Sequence, residues 1–394
     1  MAERFDILVL NQISQVGLKR LPPERYSVTK ESARPDAILL RSADMHTMTI
    51  ADSVKAIGRA GAGTNNIPVP AMNRRGVPVF NAPGANANAV KELVLAGLLI
   101  AARNLVPAVQ YVAGLRGDDA TLSRKIEDAK KRFAGIELPG HTLGVVGLGK
   151  IGSLIADAAI RLGMNVLGYD PEITVDAAWS LPSQVRKAHS IDEVLRGSHF
   201  ITLHVPLNGA TRGLLNARSL AHLRAGAIIL NFSREGIVDD AAMVEALDTH
   251  RVKTYVTDFP SAALAGHASV VALPHLGAST REAEDNSAIM VVDQMREYLE
   301  HGHVRNAVNF PDVFMQRESP YRVAIANANV PNMLGQMSTA MANAGLNIHN
   351  MLNKSRGEMA YTLVDVDSPV PAEAIDTIRR IEGVLAIRYL PLDA

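Results

Sequence analysis

Two side chains suited to a carboxylate-bearing substrate follow short apolar runs: Arg234 comes after 227–231, and His275 after 270–272. A guanidinium offers a rigid fork that matches a carboxylate. An imidazole changes charge near neutral pH and can take a proton from a hydroxyl. A third feature supplies a place for a cofactor. Gly147, Gly149 and Gly152 stand in G-x-G-x-x-G spacing between an apolar run, Thr142–Val146, and a helix pattern over 151–162; a second run, Asn165–Tyr169, ends in Asp170. Strand, glycines, helix, strand and terminal acid are the parts of a dinucleotide-binding turn. Gly147 permits the tight turn, Gly149 lets a pyrophosphate approach the backbone, and Gly152 lets helix and strand pack closely. Asp170 suits the ribose hydroxyls, and with Glu172 nearby it selects NAD over NADP, whose extra phosphate it would repel. Together these residues point to hydride transfer between a nicotinamide and a 2-hydroxy acid. On residue type alone, Arg234 could equally make a surface ion pair and His275 could start a helix. His204, in Thr202-Leu203-His204-Val205-Pro206, reads as a packing residue, with Pro206 shaping the nicotinamide side.

Other chemistries lack their parts. There is no G-x-S-x-G and no H-E-x-x-H, and the 12 histidines are scattered, so no metal site is expected. With no cysteine, disulfides and thiol catalysis are excluded. Formal net charge is zero, which gives no footprint for nucleic acid or an anionic membrane. The longest apolar helix-like run, Leu93–Ala102, is too short to cross a bilayer. The opening residues read as a strand rather than a signal peptide, and a cytoplasmic location is expected.

The elements that would hold these residues alternate between strand and helix, the mark of an α/β fold with parallel sheets. Expected strands are Phe5–Leu10, Ala37–Leu40, Val54–Ile57 and Val77–Asn81, then 143–146, 165–169, 200–203, 227–231, 254–257 and 270–272. Helices are expected at Lys91–Asn104, Leu122–Phe133, 151–162, 191–196, 216–223, 240–248 and Arg281–Glu300. After a proline-bearing linker, His301–Pro320, residues 321–394 read strand, helix, strand, strand, helix, strand, the ferredoxin-like order.

Six stretches, in this order, carry a resemblance: GRAGAGTNNI (58–67), FNAPGANANAVKELVL (80–95), TLGVVGLGKIG (142–152), ITLHVPLNGATRGLL (201–215), LNFSREGIVDD (230–240) and ALPHLGASTREAEDN (272–286). Over residues 1–310 the chain resembles the D-isomer-specific 2-hydroxyacid dehydrogenases, and most of all the branch acting on 3-phosphoglycerate. The resemblance implies two Rossmann-like lobes: a discontinuous substrate lobe, 1–97 with 285–310, and an NAD lobe, 98–284. A linker at 311–320 and a regulatory ACT domain at 321–394 would follow. It implies that Arg234 binds the substrate carboxylate and that His275 exchanges the proton. Ala62 and Gly63 would hold the carboxylate, Arg59 with Arg74 or Arg75 the phosphate, and Asn81 and Gly84 would line the substrate side. Gly149, Lys150 and Ile151 would sit on the pyrophosphate. His204, Pro206, Thr211, Phe232, Ser233, Asp258, Gly277 and Ala278 would complete the NAD site.

The activity so implied is NAD-dependent oxidation of 3-phospho-D-glycerate to 3-phosphohydroxypyruvate, the entry to serine synthesis. A glyoxylate or hydroxypyruvate reductase, or an NAD- or amino-acid-sensing protein that has lost catalysis, are the alternatives. One departure stands out. The family places a Glu three residues after the Phe matching Phe259, as partner to the histidine; here that residue is Ala262, and no acid lies from Phe259 to His275. The ACT resemblance implies a serine effector held by Asn327, Asn329 and Asn347, and a homo-oligomer, dimer or tetramer.

Overall fold

The computed structural model describes residues 4–392. The chain forms two compact units, one built from the residues before Ala87 together with those from Arg281 onward, the other from Ala87–Thr280.

The first unit begins with a parallel sheet. Its strands are β1 (Phe5–Val9), β2 (Tyr26–Thr29), β3 (Ala37–Leu40), β4 (Ala56–Arg59) and β5 (Val79–Phe80), in the order β2-β1-β3-β4-β5. Ala37, Ile38, Leu39 and Leu40 are all fully buried. A strand covered on both faces reads as a continuous apolar run, which is why β3 was visible in sequence. The edge strand β2 was not, because only Tyr26 of its four residues is buried. β4 starts two residues later than expected.

The second unit holds a seven-stranded parallel sheet: β6 (Thr142–Val146), β7 (Asn165–Tyr169), β8 (Arg186–Lys187), β9 (Phe200–Leu203), β10 (Ala227–Asn231), β11 (Val252–Thr257) and β12 (Val270–Ala272). The order is β12-β11-β10-β9-β6-β7-β8, so the chain leaves β6 in one direction and returns from β9 in the other. Ligands of such sheets bind beyond the carboxyl ends at that reversal. β8, two exposed residues, carries no periodic signal. The helix expected at Lys91–Asn104 spans Ala87–Ala102 and stops where Asn104 turns left-handed at φ 51°. A further helix, Leu105–Gly114, follows it. Asp118 accepts from the Thr121 N–H and so starts the next helix at Asp119, earlier than periodicity indicates.

The chain returns to the first unit through the helix Arg281–His301, which buries Val291, Val292, Met295, Tyr298 and Leu299. The stretch expected to be a linker is packed: Val304, Ala307, Phe310, Val313 and Met315 are buried in the same core. Then comes an antiparallel sheet of β13 (Tyr321–Ala328), β14 (Ile348–Arg356), β15 (Met359–Val366) and β16 (Val384–Pro391), ordered β14-β15-β13-β16. Helices Met333–Asn343 and Ala372–Arg379 cover one face. The other face lays Ala324, Ala326, Tyr361 and Leu363 into the core shared with the helix Arg281–His301. Arg322 and Asp365, both fully buried, close that junction with two bonds of 2.6 and 2.9 Å; the guanidinium also donates to the carbonyls of His301 and Gln316.

Candidate active site

The glycine turn follows β6. Gly147 adopts φ 92°, and a Cβ on it would lie 2.5 Å from the His204 carbonyl oxygen, so the turn passes against the end of β9. A Cβ on Gly152 would lie 1.9 Å from the Gly147 oxygen. Both positions therefore require glycine for contacts within the protein. Gly149 differs. It caps the helix Lys150–Arg161, and a Cβ there would meet nothing within 4 Å. Its hydrogen keeps clear a space that faces the positive end of a three-turn helix, the environment a pyrophosphate requires.

Asp170, just past β7, locks this turn. Its Oδ2 accepts from the Leu148 N–H at 2.8 Å and its Oδ1 from the Glu172 N–H at 3.0 Å. Each oxygen keeps a second lone pair for a ribose hydroxyl. These residues fit a dinucleotide. Lys150 and Ile151 open the helix and Thr211 ties its loop by donating to the Pro206 carbonyl at 2.5 Å. Phe232 packs toward Gly97 of the helix Ala87–Ala102. His204 is half-buried at the end of β9, its Nε2 2.7 Å from Thr202 Oγ1, and desolvation pushes its imidazole down to about 3. It is neutral at pH 7.

Arg234 and His275 sit on turns at this same edge, after β10 and β12. Asn231 frames the first turn: its Oδ1 accepts from the Ser233 N–H and its Nδ2 donates to the Arg234 carbonyl, both at 3.1 Å. Ser233 anchors it to β9 by donating to the Leu203 carbonyl at 2.5 Å. Arg234 is left exposed, its guanidinium donating to the Ser233 carbonyl.

The second turn is held by Asp258, which the family resemblance places in the cofactor site. The carboxylate is buried, and it accepts from the Leu276 N–H at 2.8 Å and the Gly277 N–H at 2.7 Å. That grip fixes His275 at φ 54°, with its ring 4.8 Å from Phe259. Among the described residues no carboxylate lies within 4 Å of the His275 ring nitrogens. Asp258 thus positions the histidine loop, a role that sequence spacing did not reveal. Ala278 lies one residue beyond Gly277, and Gly277 packs against Val90.

In the first unit, the Arg59 guanidinium folds back over Gly61, donating to the Arg41 carbonyl at 3.0 Å. Asn81 donates to the Ala62 carbonyl at 2.5 Å. Arg59, Ala62, Gly63 and Asn81 therefore share the carboxyl edge of the sheet, with Gly84 (φ 79°) on the loop that follows. Arg74 and Arg75 do not join them. They end the helix Val69–Arg74, which runs back from that edge, and Arg75 donates to the carbonyls of Ile50 and Ala51 on the approach to β4. Nearness in sequence to Arg59 hid a reversal of direction.

Asn347 is likewise apart from Asn327 and Asn329. β13 and β14 both pair antiparallel to β15, so β14 begins where β13 begins, and Asn347 lies at that end, donating to Asp367. Asn327 and Asn329 lie at the far end of β13, roughly 20 Å away along the strand. Asn329 donates to the Gly357 carbonyl.

Comparison with known proteins matches this geometry to a family. Residues 95–277 fit the model of the D-isomer specific 2-hydroxyacid dehydrogenase, NAD binding domain. A D-3-phosphoglycerate dehydrogenase of Haemophilus influenzae is 30% identical over 348 residues, 85% of this chain and 81% of that one. The chain belongs to the D-isomer specific 2-hydroxyacid dehydrogenase family. A D-3-phosphoglycerate dehydrogenase of Methanocaldococcus jannaschii is 34% identical over 340 residues, 84% of this chain. The chain spans 62% of that relative and 57% of one from Synechocystis, so it matches little more than half of these longer proteins. A crystal structure of a Thermus thermophilus protein, 27% identical, superposes with a TM-score of 0.62 and covers 77% of this chain and 99% of that one.

Proposed function

We propose that this chain oxidises 3-phospho-D-glycerate at its 2-hydroxyl to 3-phosphohydroxypyruvate, with NAD as cofactor. The observation that carries the reading is the single sheet edge on which the open cradle at Gly149, the exposed Arg234 and the Asp258-braced His275 all lie. Bound NAD supplies the hydride acceptor. Arg234 holds the substrate carboxylate through its fork and polarises the oxygen at C2. His275 accepts the hydroxyl proton on an imidazole nitrogen. The family resemblance, rather than any placement of the two units, supports the carboxylate as the ligand of Ala62, Gly63 and Asn81 and the phosphate as that of Arg59. The phosphoglycerate branch is supported by the relatives of that name at 30–36% identity.

The C-terminal βαββαβ sheet supports a reading as an ACT-type, ferredoxin-like domain. Asn327 and Asn329 of one chain would meet Asn347 of another in a homo-oligomer that holds serine, since one chain keeps them apart. A substrate panel tests the main reading: turnover of 3-phosphoglycerate with NAD, lost in Arg234→Ala and His275→Ala, is the expected result. Preference for an unphosphorylated 2-hydroxy acid refutes the substrate. No turnover with any hydroxy acid refutes the activity.

A further inference from the structure

The first sheet and the C-terminal sheet flank an open groove of about 740 Å³ beside Asn81. One wall is the segment 306–308, which pairs antiparallel beside β5: Ala307 bridges Phe80, and the Val308 N–H donates to the Val79 carbonyl at 2.9 Å. Asn306 is held left-handed at φ 54°, its N–H donating to Asp312 Oδ1 at 2.8 Å. The opposite wall is the end of β14. Lys354 and Arg356 are two residues apart on a strand and so share a face. Their partners in β15 are Tyr361 and Met359, both buried in the core beneath that face. Arg356 leans inward and donates to the Ala307 carbonyl at 3.1 Å.

The charges are unbalanced. Among the described residues neither Lys354 nor Arg356 has a carboxylate within 4 Å, and the one acid lining the groove, Asp312, has an oxygen committed to Asn306. A lysine on an edge strand such as β14 ordinarily guards against edge pairing by facing solvent. Here the pair, although solvent-exposed, also lines a groove whose other wall includes Asn81, the residue that holds Ala62.

We propose that this groove binds the phosphoryl group of a small phosphate monoester, with Lys354 and Arg356 as its cationic partners. The C-terminal sheet would then supply charge to a site continuous with the substrate loop. The phosphoryl group has two sources, the substrate's own phosphate or a separate phosphorylated metabolite; the first rests on the function proposed above, the second does not. The test is calorimetric titration of the full chain, without NAD, using inorganic phosphate and 3-phosphoglycerate as probes. Lys354→Ala/Arg356→Ala is expected to weaken phosphate binding at least tenfold, with the melting temperature and NAD affinity retained. Lys354→Glu, which leaves the Arg356 bond to Ala307 in place, is expected to do the same. Equal affinity in wild type and variants overturns the site, as does absence of phosphate binding by the wild type. Kinetics then separate the sources. A tenfold rise in KM for phosphoglycerate at unchanged kcat identifies the substrate's phosphate; unchanged KM with phosphate binding lost identifies a separate ligand. Phosphate binding intact in a protein that turns over no hydroxy acid would leave this site standing and remove the proposed reaction.

Discussion

Gly149→Ala isolates the dinucleotide cradle from the fold. A methyl at this position meets no atom within 4 Å, and the backbone φ of −68° suits alanine. The cost to folding is then the difference between glycine and alanine at a helix N-cap, about 1 kcal/mol or less. For a unit of this size that lowers Tm by about 2–4 °C. The same methyl occupies the space a pyrophosphate needs to reach the backbone N–H groups. A charge-assisted hydrogen bond is worth about 1.5–3 kcal/mol, so NAD affinity is expected to fall about 10- to 150-fold. Gly152→Ala is the contrast. Its Cβ would sit 1.9 Å from the Gly147 oxygen, so the turn must move, and stability and NAD binding fall together. Thermal melts of the apo protein paired with NAD titrations read both quantities. Wild-type NAD affinity in Gly149→Ala would refute the cradle, and a large loss of apo stability would refute the claim that its space is open.

Asp258→Asn places an amide N–H₂ against the Leu276 or Gly277 N–H, freeing the His275 loop; kcat is expected to fall about 10- to 100-fold, as loss of a charge-assisted bond predicts, with a displaced pH–rate profile, whereas a purely structural role would leave the profile in place. Asp365→Ala strands the Arg322 guanidinium in the core and is expected to cost about 3–5 kcal/mol, read by urea unfolding; a loss below 1 kcal/mol would show that the pair is solvated. His204 is pushed down to about 3 in the folded protein, against an unfolded value near 6.5, so the unfolded state binds the extra proton between those limits. Its contribution is full above about pH 6.5 and drains as pH falls toward 3. His204→Gln is expected to flatten the fall in Tm between pH 6.5 and 4; an unchanged slope would show that His204 titrates normally.

Much of the second unit was legible because parallel strands buried on both faces leave unbroken apolar runs, as in β9 and β10, where every residue is buried. The glycines declared their turn through spacing. Legibility ended where structure depends on direction or on a distant partner. Arg59 and Arg75 lie 16 positions apart, but an intervening helix carries them to opposite edges of one sheet. Asp258 reads as a lone acid after a strand, and nothing local states that both its oxygens hold a loop 18 residues on. Val304, Ala307, Phe310 and Val313 recur every three residues, which fits neither strand nor helix, so the prolines around them suggested loose chain. Arg322 and Asp365 are two charges in apolar strands, and only the sheet register brings them together.

The buried ion pair joining β13 and β15 to the end of the helix Arg281–His301 bears on how this protein can be cut or recombined. Truncation before Pro320 would uncover Met295, Tyr298 and Phe310, and would leave His301 and Gln316 without the guanidinium that caps their carbonyls. Such a fragment would be expected to aggregate rather than yield a soluble lobe. Proteases should find little purchase between 302 and 320, and grafting a foreign tail at this seam would require refashioning the helix as well. Inheritance of the C-terminal sheet is thereby tied to that of the lobe it covers.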